Sequence, residues 1–137
     1  MKSKCTLYIF FLFLIFSCSN LKNNKILIEK TYYDNGVLQS EVAKSSGKLN
    51  GQAKYYDNQS NLISIASYKN NVLHGMWIEY YKNGKTKHSV KYIYGLKDGS
   101  ELWYYESGNI KSETVYDSGD IVFETLRWDT DGNILYK

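Results

Sequence analysis

Apolar and polar positions alternate in short runs from Ile26 to the C-terminal end, and each run stops at a cluster of Asn, Asp, Ser and Gly. Met76-Trp77-Ile78-Glu79-Tyr80-Tyr81 is one run, Lys82-Asn83-Gly84 interrupts it, and Thr86 to Tyr92 is the next. Tyr94-Gly95-Leu96-Lys97-Asp98-Gly99 then leads into a further unit. Aromatic and β-branched runs separated by Asn-Gly or Ser-Gly predict β-hairpins. No window sustains a 3.6-residue period, so no helix is expected outside an apolar N-terminal segment.

The pattern recurs with a period of 24 residues, without insertion or deletion. Tyr32, Tyr56, Tyr80, Tyr104 and Trp128 mark it, and all 10 glycines fall into three of its columns. Gly36, Gly84, Gly108 and Gly132 share one column, with Ser60 in the remaining place. Gly51, Gly75 and Gly99 share a second, and Gly47, Gly95 and Gly119 a third. A fixed period means an array in which each unit buries apolar surface on the next. The expected fold is all-β: an elongated single-layer antiparallel sheet of tandem hairpins, with about 4.5 repeats over residues 26–137.

Loop length decides which side chains share a face. A three-residue loop with glycine in the left-handed conformation places Tyr80 opposite Thr86. It gathers Ile78, Tyr80, Thr86, Val90 and Tyr92 on one side, with Leu102, Tyr104, Ile110, Thr114 and Tyr116, and then Leu126, Trp128, Ile134 and Tyr136. Tyr33, Tyr55, Trp77, Tyr81, Trp103 and Tyr105 fall on the other side beside Lys87, Lys91, Lys111 and Glu113. A mixed aromatic and charged face is a candidate partner-binding surface, weighed against a solvated face whose aromatics pack on one another. Ser60 occupies a position that needs φ > 0, so its turn should be strained or differently shaped.

Residues 1–17 read as a helical export signal. Lys2 and Lys4 precede an apolar run from Thr6 to Phe16 that is too short to span a bilayer. Ile15-Phe16-Ser17-Cys18 resembles the bacterial lipobox, in which the cysteine is acylated and becomes the first mature residue. The implied organisation is a signal at 1–17, a lipidated tether at 18–25 anchored through Cys18, and the repeat domain. The chain is thus expected to be exported and held on a bacterial cell-envelope membrane by its N-terminal lipid. Cys5 and Cys18 are the only cysteines, so the domain itself has no thiol for a disulfide, a zinc site or a nucleophile.

Once Lys2 and Lys4 are removed, 15 of the 17 basic residues remain against 14 acidic ones. A near-neutral domain with scattered charges gives no pull toward nucleic acid or anionic lipid. His74 and His88 are the only histidines, and neither has a ligand-like neighbour in sequence. Asp129-Thr130-Asp131-Gly132-Asn133 starts like a calcium loop, but no glutamate follows, and these residues occupy the turn column of the repeat. No nucleophile elbow, P-loop or dinucleotide fingerprint is present. No enzyme activity, cofactor or metal is expected.

Tyr32-Tyr33-Asp34-Asn35-Gly36, Tyr80-Tyr81-Lys82-Asn83-Gly84 and Tyr104-Tyr105-Glu106-Ser107-Gly108 resemble the turn motif of MORN repeats in their bacterial variant form. Leu73-His74-Gly75-Met76-Trp77 resembles the Leu-x-Gly-x-Trp motif of that family, and Tyr68-Lys69-Asn70-Asn71 a further one with asparagine in place of glycine. The resemblance implies a non-enzymatic interaction scaffold. Proteins similar to this one are placed in the YwqK-type toxin–antitoxin group, which implies a protein partner and an antitoxin- or immunity-like role. A second reading, from the exposed Trp and Tyr side chains alone, is a cell-envelope glycan-binding module.

Overall fold

The computed structural model describes residues 25–136; the expected signal peptide, Cys18 and all of the tether but Lys25 lie outside the described residues. The strands are β1 (Ile26–Tyr32), β2 (Leu38–Ser45), β3 (Lys48–Tyr56), β4 (Leu62–Lys69), β5 (Val72–Tyr80) and β6 (Thr86–Ile93). They continue as β7 (Leu96–Lys97), β8 (Gly99–Tyr104), β9 (Ile110–Asp117), β10 (Asp120–Trp128) and β11 (Ile134–Tyr136). All lie in one antiparallel sheet in chain order, with β7 and β8 as successive pieces of one interrupted strand against β6. Among the described residues there is no helix, so the expected all-β single sheet of tandem hairpins is what forms.

The hairpin turns have the expected three-residue form. Tyr81 N donates to Lys85 O at 2.8 Å and Gly84 N to Tyr81 O at 2.9 Å, and Tyr80 pairs with Thr86. The same pattern recurs at Tyr33–Val37, Asp57–Asn61, Tyr105–Asn109 and Asp129–Asn133. Ser60 holds φ at +70° and keeps the same two turn bonds as its glycine counterparts. That turn is therefore strained but not differently shaped. Asp57 holds it, accepting from Gln59 N at 2.9 Å and from Asn61 N at 2.8 Å on Oδ1.

The expected division of the faces needs correction. One step beyond Tyr80–Thr86 the register shifts, and Glu79 pairs with His88, Ile78 with Ser89 and Trp77 with Val90. The same shift follows Thr31, Tyr55, Trp103 and Arg127. A single extra residue reverses the side to which every later side chain points. Val90, Tyr92, Thr114 and Tyr116 therefore lie on the face of Trp77 and Trp103. Ile78 and Leu102 lie on the opposite face, with Ser89 and Glu113 as their partners.

A single layer cannot bury large side chains under a second one, and it fills its interior with small ones. Val42, Ala53, Ala66 and Val90 are buried on the Trp77 face, and Val90 is fully enclosed. They form one cross-strand line, Val42 with Ala53, Ala53 with Ala66, and Trp77 with Val90. Glycine closes the layer where β3 and β5 bulge. At Gly75 φ is +116°, and an added Cβ would stand 2.8 Å from Ser67 Cβ; at Gly51 the corresponding contact is Ala43 Cβ at 2.9 Å.

Two substitutions test this frame. Gly75→Ala combines a strained φ with a steric overlap and should cost about 2 kcal/mol or more. Ser60→Gly relieves a left-handed non-glycine residue and should gain roughly 0.5–1 kcal/mol. Urea midpoints at unchanged m-value read both, and a neutral Gly75→Ala would show that the bulge is not constrained.

Candidate functional site

Consecutive repeats are stapled at both ends of their strands. At one end Tyr33 OH donates to Tyr56 O at 2.8 Å, Tyr81 OH to Tyr104 O at 2.6 Å and Tyr105 OH to Trp128 O at 2.9 Å. Each acceptor is a strand-end carbonyl of the following repeat, where the ladder opens into a turn. At the other end Asn71 N donates to Leu49 O, Gly95 N to Leu73 O at 2.8 Å and Gly119 N to Lys97 O at 2.9 Å. Asn71 also accepts Leu49 N through Oδ1 at 2.7 Å, which accounts for asparagine in a glycine column at φ +71°. In the second turn Asp57 stands where Tyr33, Tyr81 and Tyr105 stand in theirs, and no phenol reaches across. A shallow cleft of about 380 Å³ lies there between Ser60, Asn61, Tyr80 and Tyr81.

The six candidate aromatics thus divide. Tyr33, Tyr81 and Tyr105 are half-buried staples whose hydroxyls are committed to the next repeat. Tyr55, Trp77 and Trp103 share a face, and Tyr55 and Trp103 belong to one cross-strand row. That row runs Thr31–Ser40–Tyr55–Ser64–Glu79–His88–Trp103–Ser112–Arg127 through directly paired residues. First-strand positions, 24 apart, carry Thr, Tyr, Glu, Trp and Arg. Between them stand Ser40, Ser64, His88 and Ser112. Short serines leave room around each large side chain, so the row displays one distinct group per repeat.

A buried polar node supports the row at its centre. His88 Nε2 lies 2.8 Å from Glu101 Oε1, Lys97 Nζ donates to the same oxygen at 2.7 Å, and Tyr116 OH donates to Oε2 at 3.1 Å. Glu79 Oε2 is 3.7 Å from His88 Nδ1 on the other side of the ring. Burial opposes ionisation of Glu101, but Lys97, His88 and Tyr116 outweigh it and hold the carboxyl below the usual glutamate range. Burial likewise works against the Lys97 ammonium, and Glu101 and Tyr116 outweigh it and push its pKa up. The His88 ring stacks on Trp103 with centroids 4.1 Å apart and planes at 24°, which fixes the indole from behind. Spacing in sequence had suggested no role for His88, because its partners come from the two neighbouring strands.

Beside Trp103 a cleft of about 370 Å³ is lined by Trp103, Tyr105, Lys111, Ser112, Arg127, Trp128 and Leu135. Lys111 Nζ lies 5.7 Å from the Tyr105 ring centroid. Among the described residues no group of His, Cys, Asp or Glu is arranged to hold a metal ion. Asp129 turns its carboxylate on its own loop, accepting Asp131 N at 2.9 Å and Asn133 N at 2.8 Å on Oδ1 and Asn133 Nδ2 at 3.0 Å on Oδ2.

One layer of hairpins, stapled repeat to repeat and displaying groups that vary from unit to unit, defines a β-repeat scaffold. The chain belongs to the MORN repeat variant family, which matches it at residues 25–42, 49–70, 73–94 and 97–118. No curated protein matches the chain. The region from Asp120 onward lies outside the matched segments; there β10 shifts register twice and Phe123 stands exposed where earlier repeats carry glycine.

The Glu101 node predicts a pH dependence. A carboxyl whose pKa is lowered by folding contributes stability that is complete above its unfolded value of about 4.3 and is lost as pH falls through the folded value. Glu101→Gln should therefore lower stability at pH 6 and flatten its fall between pH 6 and pH 3, with Asp57, Asp129 and Glu41 supplying the slope that remains. Identical slopes for the two proteins would mean that ionised Glu101 stabilises nothing.

Proposed function

We propose that this chain is a lipid-anchored, non-enzymatic scaffold of the bacterial cell envelope that binds a protein partner on its Trp77/Trp103 face. The anchor is lipid on Cys18, and the domain acts without cofactor or nucleic acid. The observation that carries the reading is the row Thr31, Tyr55, Glu79, Trp103, Arg127. A frame that repeats closely while this row changes chemistry in every unit is suited to recognising a particular surface. Trp, Tyr and Arg are also the side chains that most often dominate binding energy at interfaces. An antitoxin- or immunity-like role, with a toxin as the partner, is the specific form that the YwqK-type resemblance suggests. The envelope-glycan reading draws on the same aromatics, but in the row only Tyr55 and Trp103 are aromatic, and they stand two repeats apart with Glu79 between them.

Two experiments test this. Labelled palmitate should enter the wild-type protein in cells and not the Cys18→Ser variant; equal labelling would remove the anchor. Affinity purification of the full-length protein from envelope extracts should recover one dominant protein, and Tyr55→Ala with Trp103→Ala should reduce that recovery about tenfold or more. Recovery of the same proteins in the same amount by wild type and double variant would remove the row as the binding face.

A further inference from the structure

The cleft at the C-terminal end of the row has a composition that selects a chemical class of ligand. Its walls are the aromatic rings of Trp103 and Tyr105, with Leu135 and the Trp128 main chain, whose carbonyl accepts the Tyr105 hydroxyl. Its charged groups are both cationic, Lys111 and Arg127, and among the described residues neither forms an ion pair with a carboxylate. Its neutral hydrogen-bonding side chains are few, the Ser112 hydroxyl and the Trp103 indole N–H, because the Tyr105 hydroxyl is already spent on Trp128 O. At about 370 Å³ it stands at the lower end of the ligand-sized range, which begins near roughly 300 Å³.

The walls are held before any ligand arrives. Trp103 is 38% exposed, with His88 stacked on it at 4.1 Å. Tyr105 is fixed by its hydroxyl bond to the next repeat. A rigid aromatic wall loses little conformational entropy on binding, and a guanidinium offers a paired, planar set of donors to a carboxylate.

We propose that this cleft takes a carboxylate of the protein partner: an Asp or Glu side chain flanked by an apolar or aromatic residue. The inference rests on the protein-partner reading and names the part of the partner that the site recognises. The carboxylate meets Arg127 and Lys111, and the flanking side chain lies against Trp103 and Tyr105. Charge complementarity commits the cleft to an anion. The scarcity of neutral hydrogen-bonding groups commits it to a ligand whose remainder is apolar. A carboxylated sugar satisfies the first condition and fails the second, because once its carboxylate has taken Arg127 and Lys111 its several hydroxyls would lose water against the apolar walls with few groups to replace it.

The chain has 3 tryptophans, and their indole N–H signals in the full-length protein in detergent micelles report the site directly. The probe is the peptide acetyl-Gly-Phe-Glu-Gly-amide, with its Gln counterpart and an oligogalacturonate as comparisons. The Glu peptide should shift the Trp103 signal saturably and leave Trp77 in place. The Gln peptide should bind about tenfold or more weakly, and Arg127→Gln should weaken the Glu peptide by a similar factor, because a hydrogen bond to a charged group is lost in each case. Lys111→Gln gives an independent reading should Arg127→Gln alter the fold, and the Trp77 signal and the urea midpoint show whether it has. Equal binding of the Glu and Gln peptides overturns the proposal, as does the absence of any Trp103 shift. Stronger binding of oligogalacturonate than of the Glu peptide overturns it in favour of a sugar acid. A protein that still recovers its partner from extracts while ignoring the peptide refutes only the cleft's role; a protein that recovers no partner refutes the reading beneath it.

Discussion

Everything in this molecule depends on the hydrogen bonds that cross from one repeat to the next at the ends of the strands. A single-layer sheet has no opposing layer, so its units are held together by the ladder between strands and by whatever joins their ends. Tyr81 OH to Tyr104 O spans 23 residues, and Gly95 N to Leu73 O spans 22. Both contacts require the intervening strands to keep their length and their bulges. An inserted residue in β5 or β6 would reverse a face and also pull a staple out of register. That double penalty is a physical reason for the unbroken 24-residue period.

The same constraint decides what can be buried. Because the repeats approach one another only edge to edge, the enclosed positions are those whose neighbours on three strands wall them in. Ala53, Ala66 and Val90 fill them, and glycine at 51 and 75 lets the backbone close against Ala43 and Ser67. Large apolar side chains stay partly wet: Tyr94, Leu96, Ile121 and Phe123 are all more than half exposed. Exposure of a hydrophobic residue is thus ordinary in this fold and does not by itself mark a binding surface. A better mark is a departure from the repeat.

The period, the hairpins and the loop type were legible in the sequence because each has a local cause. Asn-Gly and Ser-Gly punctuate the strands, and Gly84 sits where φ must be positive. The faces were not legible, because the bulge beside each turn follows from how two strands meet and has no residue signature of its own. For the same reason Val90 and Tyr92 were expected beside Ile78, and they lie with Trp77 and Gly75 instead. The site was half legible. Tyr55, Trp77 and Trp103 share the face expected of them, whereas Tyr33, Tyr81 and Tyr105 form one column whose regular recurrence is that of a staple. A column that keeps tyrosine in three units points to structure; a column that reads Thr, Tyr, Glu, Trp, Arg points to recognition. Arg127 went unnoticed because it is not aromatic, although the 24-residue spacing from Trp103 placed it in the row.

The cleft arises from an exchange between two neighbouring repeats. Trp77-Ile78-Glu79 is followed 24 residues later by Glu101-Leu102-Trp103, so tryptophan and glutamate trade columns. Trp77 lies in the inner line, opposite Val90, and Glu79 in the outward row. After the exchange the carboxylate of Glu101 is buried and the indole of Trp103 faces outward. A buried carboxylate is costly unless it is paired and hydrogen-bonded. Lys97, His88 and Tyr116 meet that requirement, and His88 occupies a column that elsewhere holds serine. The same imidazole that hydrogen-bonds Glu101 stacks behind Trp103. The polar node and the aromatic wall are thus two consequences of one exchange, and His88 joins them. A change at His88 would therefore reach the cleft through the orientation of Trp103 even though His88 does not line it, and that makes it a positioning residue for whatever the row binds.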